Sequence, residues 1–149
     1  MGKLNIKSFF FDNHEKWMTI RAYIYSAYYR AVVRFTPQNK MEWMMGVKGE
    51  ETPIDIPKDK IRIIKLVAFH VNRITMHTPW ESKCLVRALT AARLLKENKL
   101  PSTLYLGVGT PEGKMVGHAW LRCGPMYVTG GNGEGYAQVA KFSKYYKKK

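Results

Sequence analysis

The sequence predicts an α+β fold, with N-terminal helices packed on a small antiparallel sheet. Three observations predict it. Apolar residues recur at helical spacing before residue 101, short alternating β-rich stretches follow Ser102, and glycine- and proline-bearing turns separate those stretches. At 149 residues the chain fits one domain, 1–149, with a helical part to about residue 100 and a strand part over about 102–142.

The first helix is expected over residues 13–35. Asn13 can cap it, and Trp17, Ile20, Tyr23, Ile24, Ala27, Tyr28, Ala31 and Val32 form its apolar positions before Pro37 ends it. Residues 47–57, with one glycine and two prolines, read as a loop. A second helix is expected from Lys58 to about His77, interrupted by Thr78-Pro79-Trp80. The third runs from about Glu81 to Asn98, is rich in Leu and Ala, and stops before Pro101. Ser102 to Gly109 then reads as a strand and Thr110 to Lys114 as a turn. Met115 to Cys123 reads as the returning strand. Gly124-Pro125 turns the chain into a third strand, Met126 to Thr129, and Gly130 to Gly135 reads as a loop.

Composition narrows the class. Hydrophobic residues make up 46% of the chain, with nine Tyr and four Trp, which excludes a disordered tail-like polypeptide. No run of roughly 18 apolar residues spans a bilayer, and charges interleave with aromatics from Lys3 to Lys16 where a secretory signal would be apolar. A cytoplasmic protein is expected. Two cysteines are too few for a disulfide framework, and no metal-ligand cluster surrounds either, so neither metal nor cofactor is expected. The net charge of +14 points to an acidic partner. Part of it lies in the final nine residues, which hold five lysines and read as a solvated basic tail.

Cys84 lies in the first turn of the third helix, where unpaired N–H groups and the helix dipole favour a thiolate. A lone helical cysteine is more commonly a small buried hydrophobe. His118 changes the balance, because a nucleophilic thiol needs a base within reach and a third group to fix the imidazole. Alternation puts His118, Trp120 and Arg122 on one strand face, and Gly117, Ala119 and Leu121 on the other. His14, His70 and His77 lack such a setting and read as structural. A tight turn at Gly124-Pro125 would set Thr129 opposite Trp120, on the face of His118. Thr129 is therefore the first candidate for orienting the imidazole, Asn132 the second, and a backbone carbonyl the third. Trp80 and Trp120 are candidate walls of a substrate cleft, with core packing as the alternative.

The stretch Pro79-Trp80, Cys84-Leu85-x-Arg87-Ala88-Leu89, Leu104-Tyr-Leu-Gly-Val-Gly109 and Gly117-His118-Ala119-Trp120-Leu121 resembles the lasso-peptide leader peptidases. These are the peptidase halves of split B proteins, within the transglutaminase-like and papain-like cysteine proteases. The resemblance covers residues 79–136. It implies Cys84 as nucleophile, His118 as base, and removal of a leader peptide from a lasso precursor by hydrolysis. It further implies three partners: the precursor, a separate leader-recognition protein, and a lasso cyclase that closes the macrolactam. Relatives place an Asp about a dozen residues after the His, whereas no Asp follows Asp59 here.

Rival readings remain open at this level. The same Cys–His pair would serve transglutaminase- or amidase-type acyl transfer. The missing Asp is compatible with a catalytically dead scaffold. Basic charge interleaved with aromatics suits a nucleic-acid-binding module, although no nucleic-acid motif is present and no nucleic-acid partner is expected.

Overall fold

The computed structural model describes residues 16–36, 45–75, 84–110 and 112–144. Three helices and five strands follow in order. They are α1 (Lys16–Phe35), β1 (Val47–Lys48), α2 (Lys58–Thr75), α3 (Cys84–Glu97), β2 (Ser102–Gly109), β3 (Val116–Cys123), β4 (Met126–Thr129) and β5 (Ala137–Lys144). The α+β expectation holds. The proposed cap Asn13, the terminator Pro37 and the Thr78-Pro79-Trp80 interruption lie outside the described residues.

Helix α3 is the centre of the helical layer. Val86, Ala88, Leu89, Thr90, Ala91, Ala92, Leu94 and Leu95 are all buried, so it is enclosed almost all round, as its run of Leu and Ala demands. Its end is a Schellman turn: Leu100 N–H donates to the Leu95 carbonyl at 2.9 Å and Lys99 N–H to that of Lys96 at 3.0 Å. Lys99 takes the left-handed conformation (φ 61°) in the place glycine usually holds. The chain then reverses through Pro101 into β2. Helix α1 rides on α2 and α3. Thr19 Oγ1 meets His70 Nδ1 at 3.1 Å, while Arg21 and the Tyr25 hydroxyl both reach Glu97.

The sheet runs in the order β1-β5-β2-β3-β4, and every pairing is antiparallel. Two of these strands depart from the sequence reading. Val47–Lys48, expected as loop, pairs with Ser143 and Phe142. Residues 137–144 form β5, inserted beside β2, so the basic tail begins as a structural strand. Phe142 and Ser143 are each only 1% exposed, and Lys141 lies 3.8 Å from Glu51. Alternation resolves the discrepancy: Ala140 and Phe142 turn to the core while Lys141 faces the other side, and the lysines mask the pattern.

The sheet has two differently covered faces. Leu104, Ala119, Leu121, Cys123 and Phe142 join the core with the helices. Thr103, Tyr105, Trp120 and Arg122 point the other way, beneath residues 51–52 and 130–136. There Arg122 donates to the carbonyls of Thr52 (2.8 Å) and Gly124 (2.7 Å) and to the Tyr105 hydroxyl (3.1 Å), a buried cation with its donors engaged. Among the described residues, no helix is long and apolar enough to cross a membrane.

Candidate functional site

Cys84 opens the described part of α3, half-buried and packed against the helical core. Helix α3 is about 21 Å long at 1.5 Å per residue and turns straight back into β2. Its start therefore lies toward the far end of β2, where Gly107 pairs with His118. Fold topology thus brings the cysteine-bearing helix start and the histidine-bearing strand start to one end of the sheet.

His118 is held from three directions. Its Nε2 lies 2.7 Å from the Gly130 carbonyl oxygen. A carbonyl can only accept, so Nε2 carries a proton, and in the neutral ring Nδ1 holds the lone pair. The ring is stacked between Trp120 (centroids 5.8 Å apart) and Tyr136 (4.5 Å). Trp120 stacks in turn on Tyr105 at 5.6 Å. Trp120 is only 5% exposed, so it supports the imidazole from beneath; Trp80 lies outside the described residues.

Glycines make this column possible. Gly130 has φ +74°, and a Cβ there would come within 2.3 Å of the Ala119 carbonyl oxygen. Gly133, at φ +79°, lies so close over the Trp120 indole that a Cβ would meet it at 2.4 Å. The glycine run, read from sequence only as a loop, packs on Trp120 and supplies the carbonyl that His118 uses.

Neither of the first two candidates for the orienting group is hydrogen-bonded to the imidazole. A bulge between Leu121 and Arg122 pairs Thr129 with Leu121 rather than Trp120. That register turns Thr129 to the helix-facing side. It is buried, and its Oγ1 has no hydrogen-bond partner. The Asn132 Oδ1 accepts from the Glu134 N–H at 3.0 Å, a local Asx turn. The backbone carbonyl, third in the sequence reading, makes the contact, and nothing in the sequence singles out Gly130 for it.

Alternation also sets His118 on the face opposite the helical core to which Cys84 belongs. Among the described residues no hydrogen bond joins the two side chains. Of the other histidines, His70 is buried against Thr19, as a structural residue would be, and His14 and His77 lie outside the described residues. Cys123 is fully buried, and burial pushes its thiol up to about 12, which leaves it a poor nucleophile. Among the described residues no three His, Cys, Asp or Glu side chains gather to hold a metal ion.

Comparison with known proteins agrees with this architecture. The family model of the transglutaminase-like superfamily matches residues 43–144, more than half of the chain, a span that includes both Cys84 and His118. No curated protein and no solved structure matches it.

Proposed function

Since the chain belongs to the transglutaminase-like superfamily, whose fold serves cysteine peptidases and acyltransferases, we propose that it is a cysteine peptidase with Cys84 as nucleophile and His118 as base. One observation chiefly supports this reading. The Gly130 carbonyl fixes the proton of His118 on Nε2 and leaves Nδ1 as the basic nitrogen, the tautomer a Cys–His pair needs. The reading requires Cys84 Sγ and His118 Nδ1 to meet across the end of the sheet where α3 begins.

The thiol proton passes to Nδ1, and the thiolate adds to the scissile carbonyl carbon. The backbone N–H of Cys84, at the helix start, is the candidate donor to the oxyanion. Collapse of the tetrahedral intermediate breaks the C–N bond, and the imidazolium protonates the leaving amine. Water, deprotonated by the same imidazole, then hydrolyses the thioester, releases a carboxylate and restores the thiol.

The substrate we propose is a lasso-peptide precursor, cut at the leader–core junction by a single peptidase domain spanning 1–149 in the cytoplasm. A separate leader-recognition protein would present the leader, and a cyclase would use the amine that the cut exposes. What supports this finer reading is the resemblance in the Cys84-Leu85 and His118-Ala119-Trp120 blocks. The test is mass spectrometry of a precursor incubated with this chain and its recognition partner, beside Cys84→Ala and His118→Ala. The expected result is one cut at the junction, absent in both variants. Cutting that survives Cys84→Ala would overturn the mechanism. An amine adduct in place of a free carboxylate would assign acyl transfer instead.

A further inference from the structure

Helix α1 carries a line of exposed residues along its length. Trp17, Arg21, Ile24, Tyr28, Ala31 and Phe35 are all exposed. Their spacings of four, three, four, three and four residues are those of the a and d positions of a heptad repeat. On a helix of 3.6 residues per turn they drift over no more than about 80° of arc, and the seam runs the length of the helix, about 27 Å. Ile24 is 55% exposed, Tyr28 49% and Phe35 77%. The opposite side of α1, with Ala22, Ser26 and Tyr29, is the one buried on α2 and α3. The core of this domain therefore does not account for the heptad pattern.

The charge beside the seam is mainly positive, although Arg21 itself pairs with Glu97 of α3. Helix α1 contains no acidic residue between Lys16 and Phe35. Its neighbour α2 exposes Lys58, Arg62 and Lys65 in a row that continues to Phe69, with Asp59 the sole acid of that helix. The whole chain carries +14.

We propose that the outward face of α1 docks an acidic amphipathic helix of a partner protein. An a/d seam is the surface one helix offers to another, and the surrounding cations select an acidic partner. A second copy of this chain would bring two such basic faces together, and like charges oppose that. A membrane-surface helix uses a broader apolar arc, above about 100°, and here Arg21 interrupts the seam. The inference does not depend on the active-site chemistry, because binding is read without turnover.

The probe is a fluorescein-labelled helical peptide of about 18 residues, long enough to match the seam, with Leu at its a and d positions and Glu elsewhere. Anisotropy with the full chain should show saturable, salt-sensitive binding. The double variant Ile24→Glu/Tyr28→Glu, with unchanged circular dichroism, should weaken it at least about tenfold, as expected when anchor residues of an interface are lost. Exposed Val139→Ser should leave it unchanged. A matching peptide with Lys in place of Glu should not bind. Absence of binding, or equal binding by the double variant, would overturn the proposal. So would a concentration-dependent dimer, or association with anionic vesicles or single-stranded RNA, that the double variant abolishes in place of peptide binding.

Discussion

The Gly130 carbonyl and the His118 Nε2 lie 2.7 Å apart, so a main-chain group in the glycine loop orients the imidazole. A side chain can be deleted to test such a role; a carbonyl has to be moved. In Gly130→Ala the new Cβ would strike the Ala119 carbonyl oxygen and the backbone of Trp120 at a positive φ. We expect turnover in the proposed peptidase reaction to fall by at least about tenfold, the scale on which lost positioning is felt, with kcat affected more than KM. Thr129→Val and Asn132→Ala should each stay within about threefold of the parent, because neither side chain bonds the ring. A loss in Asn132→Ala as large as that in Gly130→Ala would show that the amide takes over the role during catalysis.

The two thiols should differ sharply. Cys123 is buried with its thiol pushed up to about 12, whereas Cys84 is partly accessible. Iodoacetamide applied to the folded chain at mildly alkaline pH should give one adduct, mapped to Cys84 by peptide mass spectrometry, and none in Cys84→Ala. Labelling of Cys123 at a comparable rate would contradict the burial described here.

Arg122 anchors the face of the sheet away from the helices. Arg122→Ala would strand the Thr52 and Gly124 carbonyls and the Tyr105 hydroxyl. Its loss should cost about 3 kcal/mol in urea unfolding, the scale for opening a buried polar network. Arg21→Ala, which removes an exposed ion pair with Glu97, should cost under about 1 kcal/mol. Equal losses would mean that the Arg122 network contributes little.

Lys144 should leave a mark on the pH dependence of stability. Burial, with Lys96 and Arg93 as like charges beside it, pulls its amine down to about 8 from 10.5. Between those two values the unfolded chain holds a proton that the folded chain has lost, so stability should rise with pH across that window. Below about 8 both states are protonated and the buried charge opposes folding, by on the order of 1 to 3 kcal/mol. Lys144→Met should raise the melting temperature at neutral pH and flatten the rise between pH 8 and 10.5. A variant that melts lower at neutral pH would refute the assignment.

Much of this architecture was legible in the residues themselves. Residues 102–109 and 126–129 are strands with the boundaries that alternation and turn residues suggest, and the Leu- and Ala-rich run around Ala88 is the buried helix. What could not be read has physical causes. The bulge at Leu121 and Arg122 slips the register by one residue, which carries Thr129 to the other face, and no local residue type announces it. Lysines interrupt the apolar pattern of residues 137–144, so the strand that borders β2 resembles solvated chain. The carbonyl at Gly130 is invisible to any reading based on side-chain chemistry.

The insertion of β5 between β1 and β2 has a consequence for biosynthesis. Until residues 137–144 leave the ribosome, β2 carries a free hydrogen-bonding edge beside the unfilled place of Phe142. During that interval the nascent polypeptide offers an open template to any extended segment nearby, so the sheet can close only once residue 144 has emerged. A stop codon ahead of Ala137 would therefore yield an aggregating chain rather than a shorter folded domain.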